Sequence, residues 1–298
     1  MHAGQLVVAD STVRALVDEQ FPQWRDLSLR RVSASGTVHA IFRLGDDLTA
    51  RFRLEAEEVD QVRSEVRAEA EAARELAGST RFPTPEPVAI GEPGENYPMP
   101  WLVQTWLEGT VAIDADPCES DCFATDLAEF ITGVRRIDTH GRRYGGHGRG
   151  GVLADHDEWI QECLIRSEGM LDVKLLRRMW ATVRELPRGV SPDVMNHGDL
   201  LPGNLLVHHG RLAGVLDVGG LAPADPALDL VSAWHLLEAG PRQVMRDQLV
   251  GIGDEEWERG KAWAFQQAMG AVWYYVDSNP AFSRMGRRTL ERITAQSI

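Results

Sequence analysis

The stretch NHGDLLPGN, residues 196–204, sets His197, Asp199 and Asn204 between two apolar runs, SPDVM before it and LLVHHG after it. Alone, it admits two readings. One is a turn whose Asp and Asn side chains bond the local backbone. The other is a loop that carries chemistry. Its context decides between them: an apolar strand follows Asn204, and Asp217 stands in LDVGG, 13 residues beyond it.

Working outward, residues 193–216 read as short strands and loops set within a helical region. Helical spacing of apolar positions marks DCFATDLAEFITGVRRIDT, DHDEWIQECLIRSE, VKLLRRMWATVREL, PALDLVSAWHLLEAG and DEEWERGKAWAFQQAMGAVWYYVDS. Upstream the pattern changes. A helix over ADSTVRALVDEQF, capped by Asp10 or Ser11, precedes three extended runs, LSLRRVS, TVHAIFRLG and LTARFRL. A long Ala-, Glu- and Arg-rich helix then ends at Gly78, and two strands, PVAIG and WLVQTWLEG, follow. The expected fold class is therefore α+β: residues 1–107 as a small antiparallel-sheet lobe with one main helix, and residues 108–298 as a mostly helical lobe. That two-lobe arrangement is protein-kinase-like.

Composition excludes some functions. The 298 residues carry a net charge of −14, which disfavours a nucleic-acid partner and would attract a cationic small molecule. Residues 108–160 concentrate the acidity, with 11 acidic and 5 basic residues. No apolar run is long enough to span a bilayer, and no secretory leader is recognisable, so a cytoplasmic protein, monomer or dimer, is expected. Cys118, Cys122 and Cys163 suit free thiols rather than a disulfide framework or zinc site. The only lysines are Lys174 and Lys261.

Phosphoryl transfer asks little covalent chemistry of a protein. It needs a carboxylate beside the attacking hydroxyl and oxygen ligands for Mg²⁺. Asp199 fits the first need; Asn204 and Asp217 fit the second. HGDLLPGNLLV, GRLAGVLDVGG and ADPALDLVSAW, in that order, resemble the aminoglycoside phosphotransferase family, a kinase-like branch that includes macrolide and choline-type kinases. SGTVHAIFRLGDDLTARFRL and PEPVAIGEPGENYPMPWLVQTWLEG extend the resemblance over nearly the whole chain.

The resemblance implies a phosphotransferase using Mg²⁺ and ATP or GTP on a small hydroxylated acceptor, an aminoglycoside first. A macrolide or other metabolite is the alternative acceptor, and a non-catalytic nucleotide-binding protein the alternative class. It implies Asp199 as catalytic base, Asn204 and Asp217 as metal ligands, and His197 and Asp229 as supports of the loop. The family's phosphate-binding lysine has no counterpart in the first 173 residues, and its place falls on Arg51. Arg51 and Arg53 share one strand face. The family's spacing gives Glu69 as the carboxylate partner. Ser35, Gly36 and Thr37 would form the nucleotide loop, and backbone groups of Gln104, Thr105 and Trp106 would meet the base. For the acceptor, Asp157, Glu158, Glu238 and Asp277 could supply carboxylates, and Trp234, Trp273 and Tyr274 aromatic faces. The Gly-rich GGHGRGG, residues 145–151, follows a helix and lacks dinucleotide spacing, so that reading is set aside.

Overall fold

The computed structural model describes residues 6–32, 38–188 and 191–295. The expected nucleotide loop at Ser35, Gly36 and Thr37 lies outside the described residues. The chain divides into two compact units. One takes in residues up to Ala77, Pro83–Glu108 and Leu216–Gly219; the other has Gly78–Phe82, Gly109–Val215 and the chain from Gly220 onward. Two short segments thus belong to the unit that a single cut after residue 107 would not give them.

The first unit is built on a five-stranded antiparallel sheet. Its strands are β1 (Leu29–Val32), β2 (His39–Leu44), β3 (Leu48–Arg53), β4 (Pro87–Gly91) and β5 (Trp101–Thr105), in the order β1-β2-β3-β5-β4. Alternation sorts the side chains. Ala40, Phe42, Leu44, Ala50 and Phe52 point into an apolar core with Tyr97, Met99, Trp101 and Val103. Helix α1 (Asp10–Gln20) closes that core with Val13, Leu16 and Val17. The Phe52 and Trp101 rings stack at 4.8 Å, and Gly91 lies under the Trp101 indole, where any Cβ would collide. The opposite face presents His39, Ile41, Arg51 and Arg53, paired as His39↔Arg53 and Ile41↔Arg51. Helix α2 (Val59–Leu76) supplies its carboxylates to the two arginines of that face.

One local expectation is corrected. The N-cap of α1 is Ala9, with no side-chain cap; Asp10 sits in the first turn and accepts from Arg31 Nε at 3.4 Å. A partner on β1 thus takes the carboxylate that a cap would have used.

In the second unit, β6 (Thr110–Val111), β8 (Leu205–His208) and β9 (Arg211–Val215) form one antiparallel sheet, order β6-β8-β9; β7 (Val194–Asn196) pairs with β10 (Ala222–Ala224). The helices are α3 (Ala112–Ala115), α4 (Asp121–Arg135), α5 (Asp157–Arg166), α6 (Val173–Val183), α7 (Val231–Leu236), α8 (Ala239–Gln248), α9 (Asp254–Tyr274) and α10 (Pro280–Thr294). α9 runs through the middle, with 13 of its 21 residues buried, among them Trp263, Phe265, Met269 and Val272. The single helix expected over PALDLVSAWHLLEAG is shorter. A 3₁₀ turn, Leu228–Leu230, precedes α7, and the chain leaves helical geometry at Leu237. The sequence reading did not anticipate α8 and α10. Among the described residues, no helix is long and apolar enough to cross a membrane.

His235 on α7 is 3% exposed, with Nδ1 3.0 Å from the Thr289 hydroxyl and Nε2 2.9 Å from the Gln267 amide. Burial, above all, pulls its pKa down from 6.5 to about 4. The unfolded chain takes up this proton first, so the stability is whole above pH 6.5 and is lost as pH falls towards 4. The slope approaches about 1.4 kcal/mol per pH unit. His235→Gln is expected to flatten that acid limb in urea melts at pH 7.5, 6 and 5. An unchanged slope would refute it.

Candidate functional site

The expected site residues fall into two groups, one in each unit. In the first unit, Arg51 on β3 is 8% exposed and ion-pairs with Glu69 on α2. Its Nη2 also donates to Asp217 Oδ1 at 3.1 Å. Burial opposes the guanidinium charge, but Glu69 and Asp217 outweigh it and hold the pKa above the ordinary arginine value. Arg53 makes a parallel tie, Nη2 donating to Glu65 Oε2 at 2.6 Å, so both strand arginines are engaged by carboxylates of α2 four residues apart.

His39, which the sequence reading did not single out, has Nδ1 3.5 Å from Arg51 Nη2. Burial and the adjacent Arg51 charge lower its pKa to about 4, so the ring is neutral at pH 7. Asp217 lies two residues past the end of β9 and adopts φ +59°, a left-handed conformation costing a non-glycine residue about 1–2 kcal/mol. Gly219 follows closely; a Cβ there would come within 3.2 Å of Glu69 Cγ.

In the second unit, residues 197–204 join β7 to β8. His197 is fully buried. Its backbone N–H and that of Gly198 donate to Asp229 at 2.7 and 2.9 Å. Asp229 stands on the 3₁₀ turn before α7. Burial lifts its carboxyl above the usual range, against the pull of His197 and the two amides. The Asp199 N–H donates to His197 Nδ1 at 3.3 Å. Gly198 has φ +82°, and a Cβ on it would meet the Gly220 carbonyl oxygen at 3.2 Å; one on Gly220 would lie 2.9 Å from the His197 carbonyl oxygen. The turn before Asp199 is thus held backbone against backbone, with no room for side chains.

The Asp199 side chain is one-third exposed. Asn204 Nδ2 donates to Asp199 Oδ2 and to its carbonyl oxygen, both at 2.9 Å. With its nitrogen committed, the Asn204 amide keeps its oxygen for another partner. Arg149 was also missed by the sequence reading: its Nη2 donates to Asp199 Oδ1 at 3.0 Å. The only signal for it was its place inside the Gly-rich 145–151.

Other expected residues lie elsewhere. Thr105 N–H donates to the Glu86 carbonyl and Trp106 N–H to that of Asp47, at 2.9 and 2.7 Å, while Gln104 on β5 pairs with Thr49 of β3. The N–H groups of Thr105 and Trp106 are therefore spent on the first unit's own backbone. The Trp106 ring carries the Arg43 guanidinium at 4.6 Å.

Of the acceptor candidates, three are engaged within the second unit. Asp157 accepts from Trp180 Nε1 and Arg184 Nε, both at 2.8 Å, tying α5 to α6 and its C-terminal end. Glu238 accepts from Arg288 and Arg292 of α10, at 2.9 and 2.8 Å through their Nη2 atoms. Trp234 is fully buried against Trp257 at 4.7 Å. Arginines and packing have thus taken up these groups. Glu158, Tyr274 and Asp277 are exposed, and Trp273 is half-buried beside Trp159 at 6.0 Å.

Among the described residues, no group of three or more His, Cys, Asp or Glu is arranged to hold a metal by itself. Asn204 and Asp217 each offer a hard oxygen, the donor type Mg²⁺ prefers, and Mg²⁺ commonly takes only one or two protein carboxylates beside phosphate and water. The donor chemistry of each residue fits Mg²⁺.

A sheet unit carrying a buried Arg–Glu pair, and a helical unit carrying a braced carboxylate loop, define a kinase-like phosphotransferase. The chain belongs to the phosphotransferase enzyme family, whose sequence profile matches residues 28–263. No curated protein matches significantly. Among solved structures, similarity extends over nearly the whole chain. The GDP complex of an aminoglycoside 2'-phosphotransferase-IIIa mutant has a TM-score of 0.71 at 18% identity, covering 97% of this chain and 98% of the other. The GDP and kanamycin complex of a type IIIa enzyme of that class gives 0.66 at 19%, covering 96% and 99%. The macrolide 2'-phosphotransferase MphH from Brachybacterium faecium gives 0.61 at 18%, covering 91% and 97%. These likenesses establish the two-lobe kinase-like fold.

Proposed function

We propose that this phosphotransferase moves the γ-phosphoryl group of ATP or GTP to a hydroxyl of a small molecule, with Asp199 as the base. The observation that carries the reading is the bracing of Asp199: its backbone is tied to His197, whose own N–H is held by Asp229, and its carboxylate receives Asn204. A carboxylate fixed this way loses little orientational freedom when it meets a hydroxyl. Asn204 and Asp217 are the proposed oxygen donors for Mg²⁺, which when bound neutralises phosphate charge.

Arg51 is the proposed phosphate ligand in place of a lysine. Its planar fork can serve Glu69 and a phosphate oxygen together. Arg51→Ala is expected to weaken nucleotide binding about ten- to a hundredfold, the worth of a charge-assisted bond. Calorimetric titration of ATP and GTP checks this, and an unaltered Kd sinks the role. Retained turnover in wild type would also dispose of the non-catalytic alternative, whose only support is the absent lysine.

An aminoglycoside is the first acceptor to test, on the net charge of −14 and the exposed carboxylates of Glu158 and Asp277. A macrolide or other hydroxylated metabolite is favoured by one observation: Asp157 and Glu238 are spent on arginines, and Arg149 places positive charge at Asp199. A turnover screen of both nucleotides against aminoglycosides, macrolides and small amino-alcohols decides. Acceptor-dependent turnover with none of them counts against the proposal. A cytoplasmic setting, with ATP and GTP at hand, fits this chemistry.

A further inference from the structure

The loop that carries Arg149 is anchored on both sides of that residue. Before it, the Tyr144 hydroxyl donates to the Gly148 carbonyl at 2.6 Å, and the Tyr144 N–H donates to Asp193 Oδ2 at 2.8 Å. After it, the Gly150 carbonyl accepts the Asp225 N–H at 2.9 Å. The flanking glycines are structural requirements. Gly148 and Gly150 have φ +72° and +98°. A Cβ on Gly150 would lie 2.6 Å from the Ala224 Cβ, and one on Gly151 2.5 Å from the Tyr144 ring. The segment is therefore a mount with one long side chain on it.

That side chain reaches the reacting carboxylate. Arg149 Nη2 donates to Asp199 Oδ1 at 3.0 Å and approaches the Gly198 carbonyl at 3.4 Å. Asn204 holds the other oxygen, Oδ2, at 2.9 Å. Two donors from separate segments fix the carboxylate plane, where one would leave it free to swing. Arg149 Nε is buried without a hydrogen-bond partner among the described residues, so the guanidinium is placed for the carboxylate rather than for its own satisfaction.

We propose that Arg149 is a positioning residue for phosphoryl transfer, holding Asp199 Oδ1 so that the carboxylate meets the acceptor hydroxyl in one orientation. This rests on the function proposed above. In the step served, the hydroxyl oxygen bonds to the γ-phosphorus and the bond from that phosphorus to the bridging oxygen breaks. The nucleoside diphosphate leaves, and the hydroxyl proton passes to Asp199 and then to solvent.

The test compares wild type, Arg149→Ala, Arg149→Lys and Asp199→Asn, reading acceptor-dependent transfer and nucleotide hydrolysis by water. Arg149→Ala is expected to lower kcat about ten- to a hundredfold with nucleotide KM within about twofold. Arg149→Lys should recover part of the loss, and millimolar methylguanidine should raise the rate of Arg149→Ala but not of wild type. A kcat for Arg149→Ala within about twofold of wild type overturns the proposal. So does a loss that comes with a matching rise in nucleotide KM and no response to methylguanidine, the mark of a collapsed loop. If Arg149→Ala fails to fold, Arg149→Gln carries the decision: a kcat lowered about tenfold or more with nucleotide KM within about twofold supports positioning, and a kcat within about twofold of wild type refutes it. A wild type inert with every acceptor and with water, by contrast, fells the proposed function and this inference together.

Discussion

Replacing Asp199 with alanine is expected to lower kcat about a hundredfold to ten-thousandfold, the range for a positioned general base. Nucleotide affinity should stay within about twofold, because the proposed phosphate ligand, Arg51, belongs to the other unit and is braced by Glu69 and Asp217. The fold should tolerate the change. Asp199 is one-third exposed, and the loop is held chiefly by Asp229 beneath it. The sharpest form of the test pairs a coupled turnover assay with calorimetric titration of nucleotide. Retained turnover removes Asp199 from its role. Loss of nucleotide binding alongside turnover would show damage beyond the carboxylate.

The second large effect concerns stability. Asp225 and Arg259 are buried together, 1% and 3% exposed, and their ion pair is shared with Trp263 Nε1 at 3.1 Å and the Ala227 N–H at 2.9 Å. Burial pulls the Arg259 pKa down to about 10, still well above neutrality. Asp225→Ala leaves that cation buried without its counter-charge and strands two further donors. Such a removal costs about 3–5 kcal/mol, equivalent to a fall in Tm on the order of 10 °C. Scanning calorimetry and urea melts measure it, and a loss under about 1 kcal/mol would contradict the argument. The Asp225 N–H that anchors Gly150 is a backbone group and survives the substitution, so the Arg149 loop keeps that anchor.

Much of this was legible in the sequence because it is local. Alternation in TVHAIFRLG and LTARFRL sets the strand faces, and with them the shared face of Arg51 and Arg53. The i, i+4 spacing of Glu65 and Glu69 matches the two arginines it meets. Arg149 was not legible. Its partner is 50 residues away, and the link depends on glycine conformations that sequence spacing does not encode. The arginine partners of Asp157 and Glu238 were hidden for the same reason. A carboxylate on a helix looks available until the arginine of another helix is known to reach it. α8 and α10 were passed over although both are amphipathic; their buried residues include Arg242 and Arg292.

Arg51, proposed above as the phosphate ligand in place of a lysine, would have a consequence for chemical biology. Reagents that report on kinases by acylating an amine near the phosphates find none in the first unit, since the chain's two lysines are Lys174 and Lys261. Surveys based on such probes would pass over this enzyme, and lysine acetylation cannot silence it at that position. A dicarbonyl reagent directed at guanidinium groups is the matching tool, with protection by bound nucleotide as its control.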